Sequence, residues 1–213
     1  MIKRNKWKMA VSSVIILLPI LAGLILWNDL PRQMATHWGI GGSADRWSGR
    51  AFAVFGMPLT LLAVHWICAL VISLDPRNKN QSPKATGLIF WVCPAISLYV
   101  SAIIYTWAFG MEVGMDIVLP AAMGLMFLVI GNYLPKCRQS HTIGIKVLWA
   151  LRDEGNWNAT HRFGGKVWVI GGVLLLLCVF LPKAMIPYTV VGIAFVLGRL
   201  PVAYSYIYYR RNL

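Results

Sequence analysis

Six apolar stretches of this chain, the fifth of them short, read as bilayer spans, which removes most architectures from consideration. They lie near residues 7–27, 52–74, 86–109, 116–134, 167–182 and 187–208. A hydrocarbon core about 30 Å thick needs roughly 20 apolar residues in an α-helix. Within the runs Leu, Ile, Val, Trp and Gly follow one another without the alternation of a barrel strand. Lipid offers no partner to a backbone amide, so each run has to satisfy its own, as a helix does. The expected fold is an all-α integral membrane protein, a bundle of about six transmembrane helices. Composition agrees: of 213 residues, 58% are hydrophobic and 13% charged, against about 25% charged in soluble domains.

The basic residues give the expected orientation. Lys3, Arg4, Lys6 and Lys8 precede the first run, and Arg77, Lys79 and Lys84 follow the second. Lys136, Arg138, Lys146, Arg152, Arg162 and Lys166 fall in one segment, and Arg210 and Arg211 close the chain. The opposite side receives only Arg32, Arg46, Arg50 and Lys183. Lys and Arg collect in cytoplasmic loops, so both termini and residues 135–166 are expected in the cytoplasm, and Asn28–Arg50 outside. The net charge of +13 is explained by this rule and by attraction to anionic membrane lipid, with no direct nucleic-acid partner. Two units are expected: a two-helix unit over 1–74 carrying the outer loop, and a four-helix unit over 75–213 carrying the 135–166 segment.

The first run is too long for a signal-peptide core and lacks a small-residue cleavage site, so it reads as a retained span. Cys68, Cys93 and Cys178 lie in apolar runs and Cys137 follows a Lys. None is at C-x-x-C spacing, which indicates neither a disulfide framework nor a zinc knuckle.

The outer loop, Leu30 to Arg50, reads LPRQMATHWGIGGSADRWSGR. Gly39, Gly41 and Gly42 permit tight turns with positive φ. His37 and Asp45 can face each other across such a turn, and Trp38 and Trp47 can anchor it in the headgroup layer. Two readings stay open: a surface that meets an external ligand, or an anchored interfacial loop. One His and one carboxylate are too few for a metal site.

The inner segment, Gly131 to Gly172, concentrates the chemically capable side chains. Asp153 and Glu154 suit a helix N-terminus. Glu154, Asn158 and Arg162 are four apart and share a helical face. Glu154 is expected within reach of His161, giving a carboxylate–His–Arg cluster that is either a structural network or an acid–base pair. Asn132 stands at a helix end. Two polar groups lie within spans. His65 reads as bonded to a neighbouring helix, and Arg199 as paired inside the bundle, with Glu112 or Asp116 as its partner, the alternative being that it snorkels.

The motifs GNYLPK, GIK-x-x-W and W-x-x-TH-x-x-G resemble the SdpI family of bacterial membrane immunity proteins. LP-x-x-x-x-x-HWG-x-x-G-x-x-D-x-W resembles the domain of unknown function that usually precedes it there. The resemblance places the family pattern on Gly131, Asn132, Pro135, Gly144, Ile145, Trp149, Trp157, Thr160, His161, Arg162 and Gly165. It departs at Lys146, where the family has Arg, and at Leu148, where it has Pro. It implies a six-span protein of the bacterial cytoplasmic membrane that protects its cell from a secreted toxin peptide. It further implies signalling, by sequestering a cytoplasmic autorepressor at the membrane. The toxin- or ligand-facing residues would be His37, Trp38, Gly39, Asp45 and Trp47. The cytoplasmic motif would be Asn132, Trp149, Glu154, Trp157, Thr160, His161 and Arg162. No catalytic residue, metal or cofactor is expected. The competing readings are an enzyme that uses His161 or a bound metal, and a small transporter using His65 and Arg199.

Overall fold

The computed structural model describes residues 5–39 and 41–212, with the backbone alone at Lys79 and Asn80. The fold is helical, as the apolar runs predict. In chain order the elements are α1 (Lys6–Ile25), the antiparallel hairpin β1 (Gln33–Trp38) and β2 (Ala44–Gly49), then α2 (Met57–Leu74). α3 (Pro83–Ala108), α4 (Met115–Tyr133), the short α5 (Leu148–Arg152), α6 (Glu154–Leu177) and α7 (Ile186–Arg211) follow. Among the described residues, six helices are long and apolar enough to cross a membrane, and α5 is not.

Sequence and structure differ most at the fifth span. Hydropathy places it at 167–182, whereas α6 begins at Glu154. The Asp153 carboxylate caps it, accepting the Gly155 and Asn156 N–H groups at 2.8 and 3.0 Å. These N–H groups have no partner within a helix, and an N-terminal carboxylate also complements the helix dipole. The first two turns of α6 carry polar side chains and still bury Asn156, Trp157, Thr160 and His161.

The chain forms two compact units. The first holds residues up to Leu74 together with Gly87–Met115; the second holds Asp75–Thr86 and Asp116 onward. The third span therefore packs with the N-terminal part, where the sequence reading puts it in the later unit.

In the first unit α1 is bonded to both of its helical neighbours. Ser97 and Tyr105 of α3 donate to the carbonyls of Ile16 and Pro19 at 2.8 and 2.7 Å. Ser12 meets His65 of α2 at 2.8 Å. Gly23 permits the close approach of α3 and the turn before α2: a Cβ there would lie 2.5 Å from Val54 and 2.6 Å from the Tyr105 hydroxyl. Under the hairpin, Leu30, Met34, Ala53, Val54 and Ile104 form a buried cluster. Arg50 donates to the carbonyls of Trp27 and Leu30 and stacks over the Trp27 ring at 4.3 Å. It thereby satisfies two carbonyls of the turn that leads from α1 to the hairpin.

The second unit is organised by a seam of small residues. Gly124 and Gly131 of α4 face Gly172 and Gly165 of α6. A Cβ at Gly172 would lie 2.7 Å from the Gly124 carbonyl, and one at Gly165 2.8 Å from that of Gly131. The seven-residue spacing repeats on both helices, so the backbones stay close over two turns, the packing by which small residues join helices in lipid. On the other side of α6, Trp168 donates to the carbonyl of Leu197 at 3.0 Å. Pro201, four residues on, has no N–H to offer that carbonyl.

Candidate functional site

Between α4 and α6 the chain runs through residues 134–153, a segment with little regular structure that three sets of polar contacts hold in place. The first centres on Asp75, at the end of α2. Its Oδ2 accepts the Ser140 hydroxyl at 2.7 Å, the His141 N–H at 2.9 Å and the Thr142 hydroxyl at 3.0 Å. Its Oδ1 accepts the Arg77 N–H at 3.0 Å. Burial alone would raise the Asp75 carboxyl, but the bonds from Ser140, Arg77, Thr142 and His141 outweigh it and hold the group below the usual carboxylate range. Gln81 adds a clamp on Arg138, donating to its carbonyl at 2.9 Å and accepting its N–H at 2.7 Å.

His161 carries the second set. Its Nε2 accepts the Ile145 N–H at 2.9 Å, and its Nδ1 lies 2.8 Å from the Trp157 carbonyl. A backbone N–H can only donate and a carbonyl can only accept. The proton is thus on Nδ1 and the imidazole is neutral. The ring stacks on Trp157 at 4.0 Å, and Trp157 donates its indole N–H to the Cys137 carbonyl at 2.9 Å. Gly144 turns the chain onto this pair with φ +111°, and a Cβ there would lie 2.4 Å from His161 Nε2. The glycine is required twice, by its backbone angle and by the lack of space.

The third set joins the segment to α7. Trp149 donates to the Ser205 hydroxyl at 2.8 Å, and that hydroxyl donates to Asn156 Oδ1 at 2.6 Å. Thr160 donates to the same oxygen at 2.9 Å, while Asn156 Nδ2 donates to the Ser205 carbonyl at 3.0 Å. Ser205, Asn156 and Thr160 are fully buried, and the half-buried Trp149 indole covers them from the segment side.

The predicted Glu154–His161–Arg162 cluster does not form. Glu154 and Arg162 are exposed. Arg162 donates to the Asn158 carbonyl at 3.3 Å, and both His161 nitrogens are engaged elsewhere. Of the expected residues, Trp149, Trp157, Thr160 and His161 belong to the three sets. Asn132 is exposed at the end of α4.

At the hairpin, His37 Nδ1 and Asp45 Oδ1 are 2.6 Å apart, both well exposed. The bond from His37 holds the Asp45 carboxyl below its ordinary value. Of the three loop glycines only Gly42, with φ +78°, takes the left-handed conformation. Trp47 is exposed, while Trp38 packs edge-on against Trp107 at 5.7 Å.

His65 is bonded to Ser12 and buried. Arg199 departs from expectation. It is exposed on α7 with its guanidinium 5.2 Å from the Phe195 ring centre, and Asp116 pairs instead with Lys183 at 3.5 Å. Among the described residues no group of three His, Cys, Asp or Glu side chains could hold a metal ion. Burial pushes the Cys137 thiol up to about 11, which leaves it protonated and a poor nucleophile.

Both loops recur in known proteins. Residues 136–208 match the SdpI/YfhL protein family. Residues 14–62 match a domain of unknown function, DUF1648. The chain is also similar to the immunity protein SdpI of Bacillus subtilis (strain 168), 22% identical over 209 residues, covering 96% of this chain and 97% of that one. No solved structure matches. With its six apolar helices, the chain is a multi-pass protein of the cytoplasmic membrane.

The SdpI/YfhL segment contains nearly all of the three contact sets, from Cys137 to Ser205, and the DUF1648 segment contains the whole hairpin. Asp75 and Gln81, which hold the SdpI/YfhL segment from outside, fall in neither. The sequence reading also passed over Ser140, Asn156 and Ser205. Asn156 has a signal in hindsight, because Asn156 and Thr160 are four apart on a helix. Asp75 has none for its hold on the segment, since Ser140, His141 and Thr142 lie some 65 positions away.

Proposed function

We propose that this chain is an immunity protein that protects its cell against a secreted, membrane-active toxin peptide. The observation that carries this reading is the similarity to the Bacillus immunity protein along nearly the whole of both chains. A shared membrane domain alone would match in part. Here both the hairpin and residues 136–166 fall within matched segments.

In this reading the hairpin faces outward and meets the peptide through His37, Trp38, Gly39, Asp45 and Trp47. Exposed Trp47 and the exposed His37–Asp45 pair offer an aromatic face and a charge pair to an arriving amphipathic chain. The 134–166 segment faces the cytoplasm. Trp149, Trp157, Thr160 and His161 act there as scaffold, fixing a surface on which Arg152, Arg162 and Lys166 are exposed. That basic surface is the docking place for a cytoplasmic autorepressor. Asn132 and Glu154 are exposed beside it. The immunity reading needs no catalytic residue and no cofactor.

The test is expression in a bacterium sensitive to the Bacillus toxin. Survival relative to an empty vector supports the reading. Unchanged killing at normal membrane levels of the protein overturns it for that toxin class.

A further inference from the structure

Beside the glycine crossing of α4 and α6 lies a groove of about 360 Å³. Its polar groups are Asn132 and Lys166, and its apolar wall is Val169 and Ile170. Along α6 the polar group comes first. Lys166 is one turn nearer the capped end of the helix than Val169 and Ile170, and Val173 continues the exposed apolar face. The groove is thus graded, cationic toward the 134–153 segment and oily toward the middle of the helix. Val129 of α4 and Ile170 of α6 are 45% and 61% exposed, so it opens onto a surface that must meet lipid.

The charge around its polar end has one sign. Arg162 precedes Lys166 by one turn and is exposed, and the Lys136 ammonium sits 4.5 Å over the Tyr133 ring just past the end of α4. No Asp or Glu follows Glu154 in the chain, and α4 carries its one acid, Asp116, in its opposite end turn. A free phosphate ion would engage Asn132 and Lys166 but make no use of the Val169–Ile170 wall. A zwitterionic lipid would bring a fourth cation to the three already there.

We propose that this groove holds an anionic phospholipid of the surrounding leaflet, its phosphate at Asn132 and Lys166 and an acyl chain along Val169 and Ile170. The glycine seam is what makes room, because α4 and α6 cannot approach this closely with side chains between them. The inference stands apart from the immunity reading and would hold whether or not the chain binds a toxin.

The test uses full-length protein purified in a neutral detergent, with phosphatidylglycerol, phosphatidylcholine or inorganic phosphate added. Lipid retention is read by native mass spectrometry and thermal unfolding by tryptophan fluorescence. Phosphatidylglycerol should be retained and should raise the unfolding temperature more than the other two. Lys166→Gln should cut retention about fivefold, the effect of one cation at a lipid surface. Asn132→Leu should also weaken it. Lys8→Gln, which removes the same charge from exposed Lys8 on α1, should not. The proposal fails if phosphatidylcholine or phosphate protects equally. It fails also if Lys8→Gln matches Lys166→Gln, which would mean bulk charge alone.

Discussion

The ring of His161 accepts the N–H of Ile145 at 2.9 Å across 16 residues of chain, and this bond fastens the irregular segment to α6. His161→Ala removes the acceptor, leaves the Ile145 N–H alone and opens space against Trp157. The expected cost is about 2–4 kcal/mol. His161→Gln retains an acceptor in the position of Nε2 and should lose clearly less. Gly144→Ala should be as damaging as His161→Ala, since alanine is strained at that φ and its Cβ collides with the imidazole. Thermal unfolding in detergent ranks the three. Equal stability of wild type and His161→Ala would show that the bond does not hold the segment.

Asp75 gives the second unit a pH dependence. Its carboxyl is held below the unfolded value of about 3.9, so it binds protons less readily when folded. Its stabilisation is complete above that value and is lost as pH falls through the lower folded value. Asp75→Asn presents an amide N–H₂ to a site built of donors and should be destabilised at neutral pH. Its unfolding temperature should then change less between pH 6 and pH 3 than that of wild type. Parallel curves for the two proteins would refute this account.

Arg199 should tolerate replacement in the isolated protein. It is exposed, and its guanidinium lies over the Phe195 ring four residues earlier on α7, so Arg199→Leu strands no buried partner. The change in stability should lie within about 0.5 kcal/mol. A large loss in thermal unfolding would mean that Arg199 is paired inside after all. If stability is kept while protection is lost, Arg199 serves a partner.

The hairpin separates stability from function. An exposed ion pair adds little stability, so His37→Ala and Asp45→Ala should leave unfolding nearly unchanged. If the hairpin meets the toxin, each should reduce survival on toxin challenge at least as much as Arg162→Ala. Survival equal to wild type in both hairpin variants, at equal membrane levels, would move the toxin contact elsewhere.

Reporter fusions test orientation. A reporter active only in the cytoplasm should work at the C-terminal end and fail in the 28–50 loop. The reverse pattern would invert the proposed roles of hairpin and basic segment.

Helix number and type were legible because lipid imposes one rule on every residue of a span. The start of α6 was legible in part. Asp153 and Glu154 announce a helix N-terminus, but Asn156, Thr160 and His161 depress hydropathy there, and a hydropathy window cannot tell a polar loop from a polar helix buried against one. Periodicity along α6 suggested a Glu154–His161–Arg162 cluster. What decides the partners of His161 is the Gly144 turn, which brings Ile145 to it from outside the helix. Arg199 was misplaced for a related reason. Position along a span gives depth in the membrane, whereas facing depends on which side α6 covers, and that is set by Gly171 against Leu197.

The order in which the two units use the chain bears on how such a protein can be inherited. The stretch from Asp75 to Thr86 belongs with the later unit, and Gly87–Met115 returns to the earlier one. A single recombination junction at 74/75 would part α3 from its unit, and one at 115/116 would strip the later unit of Asp75 and Gln81. No crossover between the two positions leaves both intact. The two halves are therefore expected to pass between genomes together, and a chimera of two relatives should fold only if the whole of 75–115 is matched to both flanks.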